Sequence, residues 1–317
     1  MMSVLRSAGA AVYGSLWEAR RDLYARGMLA PRRVPARVVS VGNLTVGGTG
    51  KTTLVLDLAR RAAARGVACA VACRRYRPGP SGLGDEELMY RAALGEHFVH
   101  AGSSKLKSAA AAAAAGASLV LVDDGFQHWA LARDADLVLV DARDPWGGGH
   151  LLPAGRLREP RRAIQRADAL IVTRLRPAED PGPLLAAVGR YAPAAVRAAA
   201  RHRVLGARDA GGAPLPAGTR VRVVTATGNP GAVEESAREA GLEVTALAAY
   251  RDHHAFAPAE AAVELKRAAG DRARVLITAK DHVRWPEAHR AEAAVLEVEW
   301  EWVAGGDDVI RLVLEGR

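Results

Sequence analysis

Residues 38–60 constrain the fold of this chain more than any other stretch, because they join a strand pattern, a glycine-rich turn and a helix pattern. The stretch reads VVSVGNLTVGGTGKTTLVLDLAR. Its glycines allow backbone N–H groups to surround a polyphosphate, while Lys51 can reach the β/γ oxygens. The Thr52 hydroxyl is suited to hold Mg²⁺, and the helix that follows adds its positive dipole end. The stretch therefore predicts a phosphate-binding loop for a nucleotide.

We expect the whole turn to contact the nucleotide. Its residues are Thr45, Val46, Gly47, Gly48, Thr49, Gly50, Lys51, Thr52 and Thr53. The strict pattern G-x-x-x-x-G-K-[ST] has glycine at the position that Thr45 occupies here. The turn thus departs from the strict pattern at one position.

Strand and helix patterns alternate along the chain, which predicts a parallel sheet with helices on both faces. After about residue 201 the alternation continues in shorter β-like segments. We therefore predict an α/β fold, with a P-loop NTPase-like parallel-sheet domain and a second, smaller α/β domain. The expected boundaries are 1–30 for an amphipathic N-terminal helix, 31–200 for the P-loop domain and 201–317 for the smaller domain.

The net charge of +9 suits an anionic partner such as a nucleotide or a phospholipid surface. No module that reads RNA or DNA is recognisable, so nucleic acid is not an expected partner. No apolar run approaches the ~20 residues that span a bilayer. Cys69 and Cys73 lack a disulfide framework, which is typical of a reducing cytosol.

The N-terminal segment has an amphipathic helix pattern, with several arginines around it. Its apolar stripe consists of Leu5, Ala8, Val12, Leu16, Ala19 and Leu23, with Tyr13, Trp17 and Tyr24 beside it. Two interpretations stay open from the pattern alone. The helix packs on its own domain, or it lies on an anionic membrane surface.

Polar residues at strand ends and in loops are the candidates for chemistry. Asp123 and Asp124 end an apolar strand, where a carboxylate can hold Mg²⁺ directly or through water. Asp85 precedes a helix pattern and is either a helix cap or an acceptor for a substrate proton. His253 follows a strand of the second domain, and its role stays open between structure and catalysis.

Several of these segments together resemble the tetraacyldisaccharide 4′-kinases of lipid A biosynthesis. They are SVGNLTVGGTGKTTL (40–54), GDE (84–86), VDDGFQHWALARDADLVLVD (122–141), HLLPAGRLREP (150–160), GNP (228–230), RDHHAF (251–256) and TAKD (278–281). They occur in the order of that family, and Thr45 is usual there. Two departures concern the loop of residues 74–88, where the family's glycine before Tyr76 is absent and Glu87 replaces a proline.

The resemblance implies transfer of the γ-phosphoryl group of ATP to the 4′-hydroxyl of a tetraacylated disaccharide 1-phosphate. This transfer would occur at the cytoplasmic face of the bacterial inner membrane, on a peripheral enzyme docked through its N-terminal helix. It implies two α/β domains joined by a β-hairpin linker, with the smaller domain closing the cleft.

The implied site has Asp85 as base, His253 as its helper and Lys51 on the β/γ-phosphates. Thr52, Asp123, Asp124 and Glu159 would serve Mg²⁺ or its shell. The nearest alternative is a deviant-Walker partitioning-type ATPase, although such a loop requires lysine where this chain has Val46. The oligomeric state stays open.

Overall fold

The computed structural model describes residues 2–75 and 82–316. Its helices are α1 (Met2–Ala25), α2 (Lys51–Ala64), α3 (Asp85–Leu94), α4 (Lys105–Ala114), α5 (Gly182–Gly189), α6 (Pro230–Glu239), α7 (Pro258–Gly270), α8 (Ala279–His282) and α9 (Gly306–Leu314). Its strands are β1 (Arg37–Asn43), β2 (Cys69–Arg74), β3 (Val99–Gly102), β4 (Leu119–Asp123), β5 (Ala135–Asp141), β6 (Ala169–Thr173), β7 (Val196–Arg208), β8 (Arg220–Thr225), β9 (Glu243–Ala249), β10 (Arg274–Thr278) and β11 (Ala293–Ala304). The expected altered loop at 74–88 falls partly on residues 76–81, outside the described residues.

The chain forms two compact units. Unit 1 contains the described residues of Met1–Arg75, Tyr90–Arg201 and Trp300–Arg317, and unit 2 contains those of Tyr76–Met89 and His202–Glu299. The expected domains divide the chain once, near residue 200. In the structure the C-terminal segment belongs to unit 1, and the segment around Asp85 belongs to unit 2. The C-terminal assignment has a packing reason, because Trp300, Val309 and Ile310 are buried in the same core as β1 and α2.

The sheet of unit 1 has the strand order β3-β2-β4-β1-β5-β6-β7, in which each described pair is parallel. β1 lies between β4 and β5 and is buried along almost its whole length. Buried runs of this kind are typical of parallel strands that are covered on both faces. The carboxyl ends of these strands place Asn43, Asp123 and Asp141 at one edge of the sheet.

The sheet of unit 2 has the order β11-β10-β8-β9, again with parallel pairs. Its two apolar cores lie on opposite faces, one around Val224 and Trp285 and the other around Val223 and Leu276. Adjacent residues of β8 contribute to different cores because successive side chains of a strand point to opposite faces.

The predicted α/β fold with a parallel sheet is confirmed. Shorter β-like segments are expected after about residue 201, but β7 is one 13-residue strand that runs across this point, from Val196 to Arg208. Its arginines pair with glutamates of β11, with Arg203 Nε 2.6 Å from Glu299 and Arg208 Nε 2.7 Å from Glu297. Cross-strand ion pairs stabilise a strand without apolar alternation, so the hydrophobic pattern alone understated its length.

Gly42, in β1, allows the loop after β4 to approach the strand closely. A Cβ atom on Gly42 would lie 2.5 Å from the Cβ of Phe126, which is fully buried. Real side chains do not tolerate that distance, so β1 or the Phe126 loop would have to move. The glycine is thus a packing requirement of the sheet edge that carries Asn43.

Gly42→Ala should therefore lower the free energy of unfolding by about 1–3 kcal/mol, as overpacking of a core does. The measurement is denaturant unfolding of the protein without nucleotide. Gly48→Ala is the matched control, because a Cβ there meets open space. Equal stability of the two variants would contradict the packing role of Gly42.

Candidate active site

The phosphate-binding loop has the backbone geometry that its glycines predict. Gly47 and Gly50 adopt positive φ values of 122° and 91°, and α2 begins at Lys51 directly after Gly50. Positive φ is a conformation that glycine adopts without steric cost. A Cβ on Gly47 or Gly48 would point into open space, so the loop is uncrowded at these two residues. The N-terminus of α2 adds its positive dipole end to this concavity.

A second segment, residues 156–158, holds the loop by backbone pairing. The Val46 N–H donates to the Arg156 carbonyl at 2.8 Å, and the Arg158 N–H donates to the Leu44 carbonyl at 2.7 Å. Thr45 and Leu157 form an antiparallel bridge between these two bonds. The LLPAGRLREP segment of the sequence therefore has a structural reason, since it is paired with the binding loop through one antiparallel bridge and two backbone hydrogen bonds.

Cations surround the carboxylate of Asp124 at the mouth of this loop. Arg158 Nη1 lies 2.7 Å from both carboxylate oxygens, and Lys51 Nζ lies 3.4 Å from one of them. Lys105 Nζ donates to the Asp124 carbonyl and lies 3.7 Å from its carboxylate. Lys51 also donates to the side-chain oxygen of Asn43 at 3.1 Å. The cluster thus has more positive than negative charge.

The charge of Asp124 is set by these neighbours. Burial by itself would raise the pKa of Asp124, but the positive charges of Lys51, Lys105 and Arg158 outweigh it and lower the pKa below its usual range. The carboxylate is therefore ionised at neutral pH. The cationic excess around it suits a polyanion such as a triphosphate.

The residues after Asp124 position it. Asp124 has a positive φ of 50°, and Gly125 continues the turn by donating its N–H to the Val41 carbonyl. Gln127 donates from Nε2 to the Asn43 carbonyl at 3.0 Å and accepts from Arg158 at 3.3 Å. The DDGFQH motif thus ties the end of β4 to the end of β1.

The donor set at this edge fits Mg²⁺. Thr52 is the second residue of α2, Asp123 is the last residue of β4 and Asp124 follows it. Within residues 2–75 and 82–316, no group of three or more acidic, histidine or cysteine side chains could hold a metal by itself. Mg²⁺ is usually held by one or two carboxylates together with substrate phosphates, and Asp123 and Asp124 supply two carboxylates at this edge.

Glu159 is the fourth residue predicted for the metal. It is buried, and its Oε2 lies 2.7 Å from Nη2 of Arg166. Burial raises the pKa of Glu159, and the Arg166 charge opposes that shift. The described contacts of Glu159 are thus with the residues beneath α1 rather than with Asp124.

Unit 2 contains an acid–imidazole pair. Asp85 is the first residue of α3, and its Oδ2 lies 2.9 Å from Nδ1 of His253. His253 has a positive φ of 64°, and its N–H donates to the Ala226 carbonyl after β8. Arg284 Nε lies 3.6 Å from the same Asp85 oxygen. Asp85 and His253 are therefore brought together although 168 residues separate them.

The N-terminal helix presents two different faces. Tyr13, Trp17 and Tyr24 face the protein, where Tyr13 donates to the Arg158 carbonyl at 2.7 Å and Trp17 packs edge-to-face on Trp129. The apolar stripe of Leu5, Ala8, Val12, Leu16, Ala19 and Leu23 is exposed along its whole length. Among the described helices, none is long and apolar enough to cross a membrane.

The structure adds Lys105 and Arg284 to the candidate site residues, although the sequence analysis did not single them out. It also shows that Arg158 forms an ion pair with Asp124. A usable signal existed for Lys105, since it follows the short strand β3 and begins α4 at the same sheet edge as Lys51. Arg284 lies three residues after Asp281, a spacing that brings two side chains together on a helix. Their distances to Asp124 and Asp85 depend on the fold and have no local pattern.

His128, in the DDGFQH motif, predicts an acid-sensitive stability. Burial and then the nearby Lys105 and Arg133 lower its pKa to about 4, and its Nε2 is buried without a hydrogen-bond partner among the described residues. Unfolding restores a pKa of about 6.5, so the unfolded chain binds the extra proton first as pH falls. The stability contribution is complete above about pH 6.5 and is lost toward pH 4.

When the pH falls from 7 to 5, the free energy of unfolding should decrease in both proteins. The decrease should be smaller in His128→Gln by on the order of 1 kcal/mol, after allowance for partial exposure of the ring. Thermal unfolding at both pH values measures the difference. His97→Gln removes an exposed histidine of the same unit and is the control. Identical pH dependence of the His128 variant and the unchanged protein would contradict the buried neutral imidazole.

Comparison with known proteins identifies the family of this chain. The family model described as Tetraacyldisaccharide-1-P 4′-kinase matches residues 2–315. A tetraacyldisaccharide 4′-kinase of Anaeromyxobacter sp. (strain Fw109-5) is 36% identical over 316 residues, covering 91% of this chain and 85% of the relative. The enzyme of that name from Geobacter sulfurreducens is 34% identical over 326 residues, covering 94% of this chain and 90% of the relative.

A solved structure also has this fold. The crystal structure of LpxK from Aquifex aeolicus in complex with ATP matches with a TM-score of 0.73 and 23% identity, covering 99% of this chain and 98% of that chain. The comparisons do not favour the alternative of a partitioning-type ATPase. The chain belongs to the tetraacyldisaccharide-1-P 4′-kinase family and is a kinase of lipid A biosynthesis.

Proposed function

We propose that unit 1 binds ATP with Mg²⁺ at the phosphate-binding loop and that Asp85 of unit 2 is the base for the acceptor 4′-hydroxyl of tetraacyldisaccharide 1-phosphate. The observation that carries the assignment of the base is the Asp85–His253 pair at 2.9 Å. A carboxylate held by an imidazole is oriented to accept a proton, and the imidazole can share the charge that results. His253 is thus the helper of Asp85.

In the proposed reaction, the 4′-oxygen forms a bond to the γ-phosphorus while the bond from that phosphorus to the β–γ bridging oxygen breaks. The 4′-hydroxyl proton goes to Asp85, and ADP leaves with the bridging oxygen. Such transfers depend on positioning and on charge stabilisation rather than on covalent catalysis by the protein.

Unit 1 contributes the positive charges. We assign Lys51 to the β/γ-phosphate oxygens and Arg158 to the same polyanion, because both already surround Asp124 at the mouth of the loop. The N–H groups of residues 45–53 bind the phosphates from the concave side. These residues neutralise a triphosphate without a large movement of charge.

Thr52, Asp123 and Asp124 are the proposed Mg²⁺ ligands, directly or through water. When bound, Mg²⁺ neutralises developing charge on the β- and γ-phosphate oxygens. Glu159 is assigned to the surrounding shell, because its carboxylate is already paired with Arg166.

Asp85→Asn should lower kcat about 10²–10⁴-fold with little change in the KM for ATP, because the base acts in the transition state. The assay measures ATP-dependent phosphorylation of tetraacyldisaccharide 1-phosphate. Glu260→Gln is the matched control, since it alters the other carboxylate–imidazole pair of unit 2, Glu260 with His254 at 2.8 Å. An unchanged kcat in Asp85→Asn would remove Asp85 from the role of base.

We further propose that the exposed stripe of α1 attaches the enzyme to the cytoplasmic face of the inner membrane. Leu5, Val12 and Leu16 are 65%, 61% and 66% exposed, although they are large apolar side chains on one line of the helix. The aromatic face of α1 packs on the protein and fixes the orientation of this line. A tetraacylated substrate remains in the bilayer, so the enzyme has to work at its surface.

Replacing Val12 and Leu16 together by glutamate should weaken binding to vesicles by at least about tenfold, because two apolar side chains can no longer enter the interface. The vesicles contain phosphatidylethanolamine with phosphatidylglycerol, and cosedimentation measures the bound fraction. Ser7→Glu with Ser15→Glu adds the same charge at exposed positions of α1 outside the stripe. Equal weakening in both variants would show an effect of charge rather than of the apolar stripe.

A further inference from the structure

Arg284 is a buried arginine that lies against the proposed base. Its side chain is 3% exposed, and its Nε lies 3.6 Å from Oδ2 of Asp85. His253 Nδ1 contacts the same oxygen at 2.9 Å. Both described contacts of the Asp85 carboxylate therefore fall on Oδ2 rather than on Oδ1.

A set of strand-end groups holds the guanidinium in place. Arg284 donates from Nε to the Lys280 carbonyl at 3.2 Å and from Nη1 to the Ala226 and His254 carbonyls at 3.4 Å each. Its Nη2 lies 3.3 Å from Oδ1 of Asp281. The guanidinium is thus bonded to backbone carbonyls in the segments that follow β8, β9 and β10, and these bonds fix its position.

Asp281 is the anchor of this arrangement. It is fully buried and accepts from the Thr225 and Thr278 hydroxyls at 2.8 and 2.7 Å and from the Ala226 N–H at 2.9 Å. These bonds compensate the buried carboxylate, and Arg284 supplies the countercharge. The TAKD motif therefore holds Arg284 in place through Asp281, whose carboxylate is fully buried in unit 2.

The charges explain why an arginine suits this position. A neutral side chain would leave Asp281 buried without a countercharge, whereas a guanidinium neutralises it and also brings positive charge to within 3.6 Å of the Asp85 carboxylate. The planar fork donates from Nε to the Lys280 carbonyl and places Nη2 3.3 Å from Asp281, so the charge beside Asp85 is held at a fixed position. Lysine has the charge but lacks this fixed pair of directions.

We propose that Arg284 is a positioning residue for phosphoryl transfer: it holds Oδ2 of Asp85, so that Oδ1 accepts the proton of the acceptor hydroxyl. Asp281 in turn fixes Arg284. The role of Arg284 depends on the proposed role of Asp85 as base, because Arg284 acts on the reaction only through that carboxylate.

A double-mutant cycle separates this role from a merely structural one. Arg284→Met should lower kcat about 10- to 100-fold, with the KM for ATP within about threefold of its original value. In the Asp85→Asn background, the same substitution should change kcat less than about twofold, because its target carboxylate is already lost. Arg284→Lys should recover part of the kcat, since the charge returns without the fork.

Arg222→Met is the matched control. Arg222 is a second poorly exposed arginine of unit 2, paired with Glu264 at 2.7 Å, and none of its described contacts is with Asp85. The control should lower the thermal stability while its kcat, measured below the unfolding transition, stays within about twofold. If Arg284→Met does not fold, the cycle is run with Arg284→Lys, for which the same non-additivity is expected at smaller amplitude.

Each outcome decides between the proposals. Equal losses of kcat from the Arg284 substitution in both backgrounds would overturn the positioning role, and so would an unchanged kcat beside a strongly impaired Asp85→Asn. An unchanged kcat in Asp85→Asn would instead overturn the assignment of the base. Non-additive losses, together with partial recovery by lysine, are the result that the proposed positioning requires.

Discussion

Backbone hydrogen bonds between the phosphate-binding loop and residues 156–158 are the constraint on which the rest of unit 1 depends. They hold the loop through Leu44 and Val46, and they place the Arg158 guanidinium against Asp124. The same irregular segment supports α1, where Gly9 and Gly14 lie close to Pro153 and Leu151. One stretch of chain thus connects the helix with the exposed apolar stripe to the loop that is suited to a triphosphate.

Charge compensation distinguishes the scaffold from the site. Three buried carboxylates in the scaffold have a close cation: Glu159 has Arg166, Asp136 has Arg133 and Glu264 has Arg222. A buried ion pair of this kind avoids the cost of an uncompensated charge. Around Asp124 the balance is different, because Lys51, Lys105 and Arg158 all approach one carboxylate. The excess of positive charge therefore lies beside the phosphate-binding loop, where it suits a triphosphate.

The sequence could predict what is encoded locally. The loop after β1, the alternation of strands and helices and the strand end at Asp123 all follow from patterns of fewer than about 25 residues, and the structure contains each of them. The sequence pattern of α1 did not decide between packing on the protein and contact with a membrane. The helix has an apolar stripe and an aromatic face, and either could pack on the protein. The structure assigns the aromatic face to packing and leaves the other face exposed.

Contacts between distant segments could not be derived in that way. No periodicity brings Asp85 to His253 or Arg284, since these contacts require the completed fold. The resemblance to a family supplied Asp85 and His253, and the packing of unit 2 supplied Arg284. The division into units was equally hidden, because a cluster of buried side chains, rather than a change of composition, assigns the C-terminal segment to unit 1.

That assignment has a consequence for the order in which the protein can fold. Trp300, Val309, Ile310, Leu312 and Val313 complete a core whose other members begin with Val39. The ribosome makes these residues after almost all the rest of the sheet, so unit 1 has an incomplete core throughout translation of unit 2. A stop codon shortly before residue 300 would remove Trp300 and α9 from the core of unit 1, and it would also shorten β11.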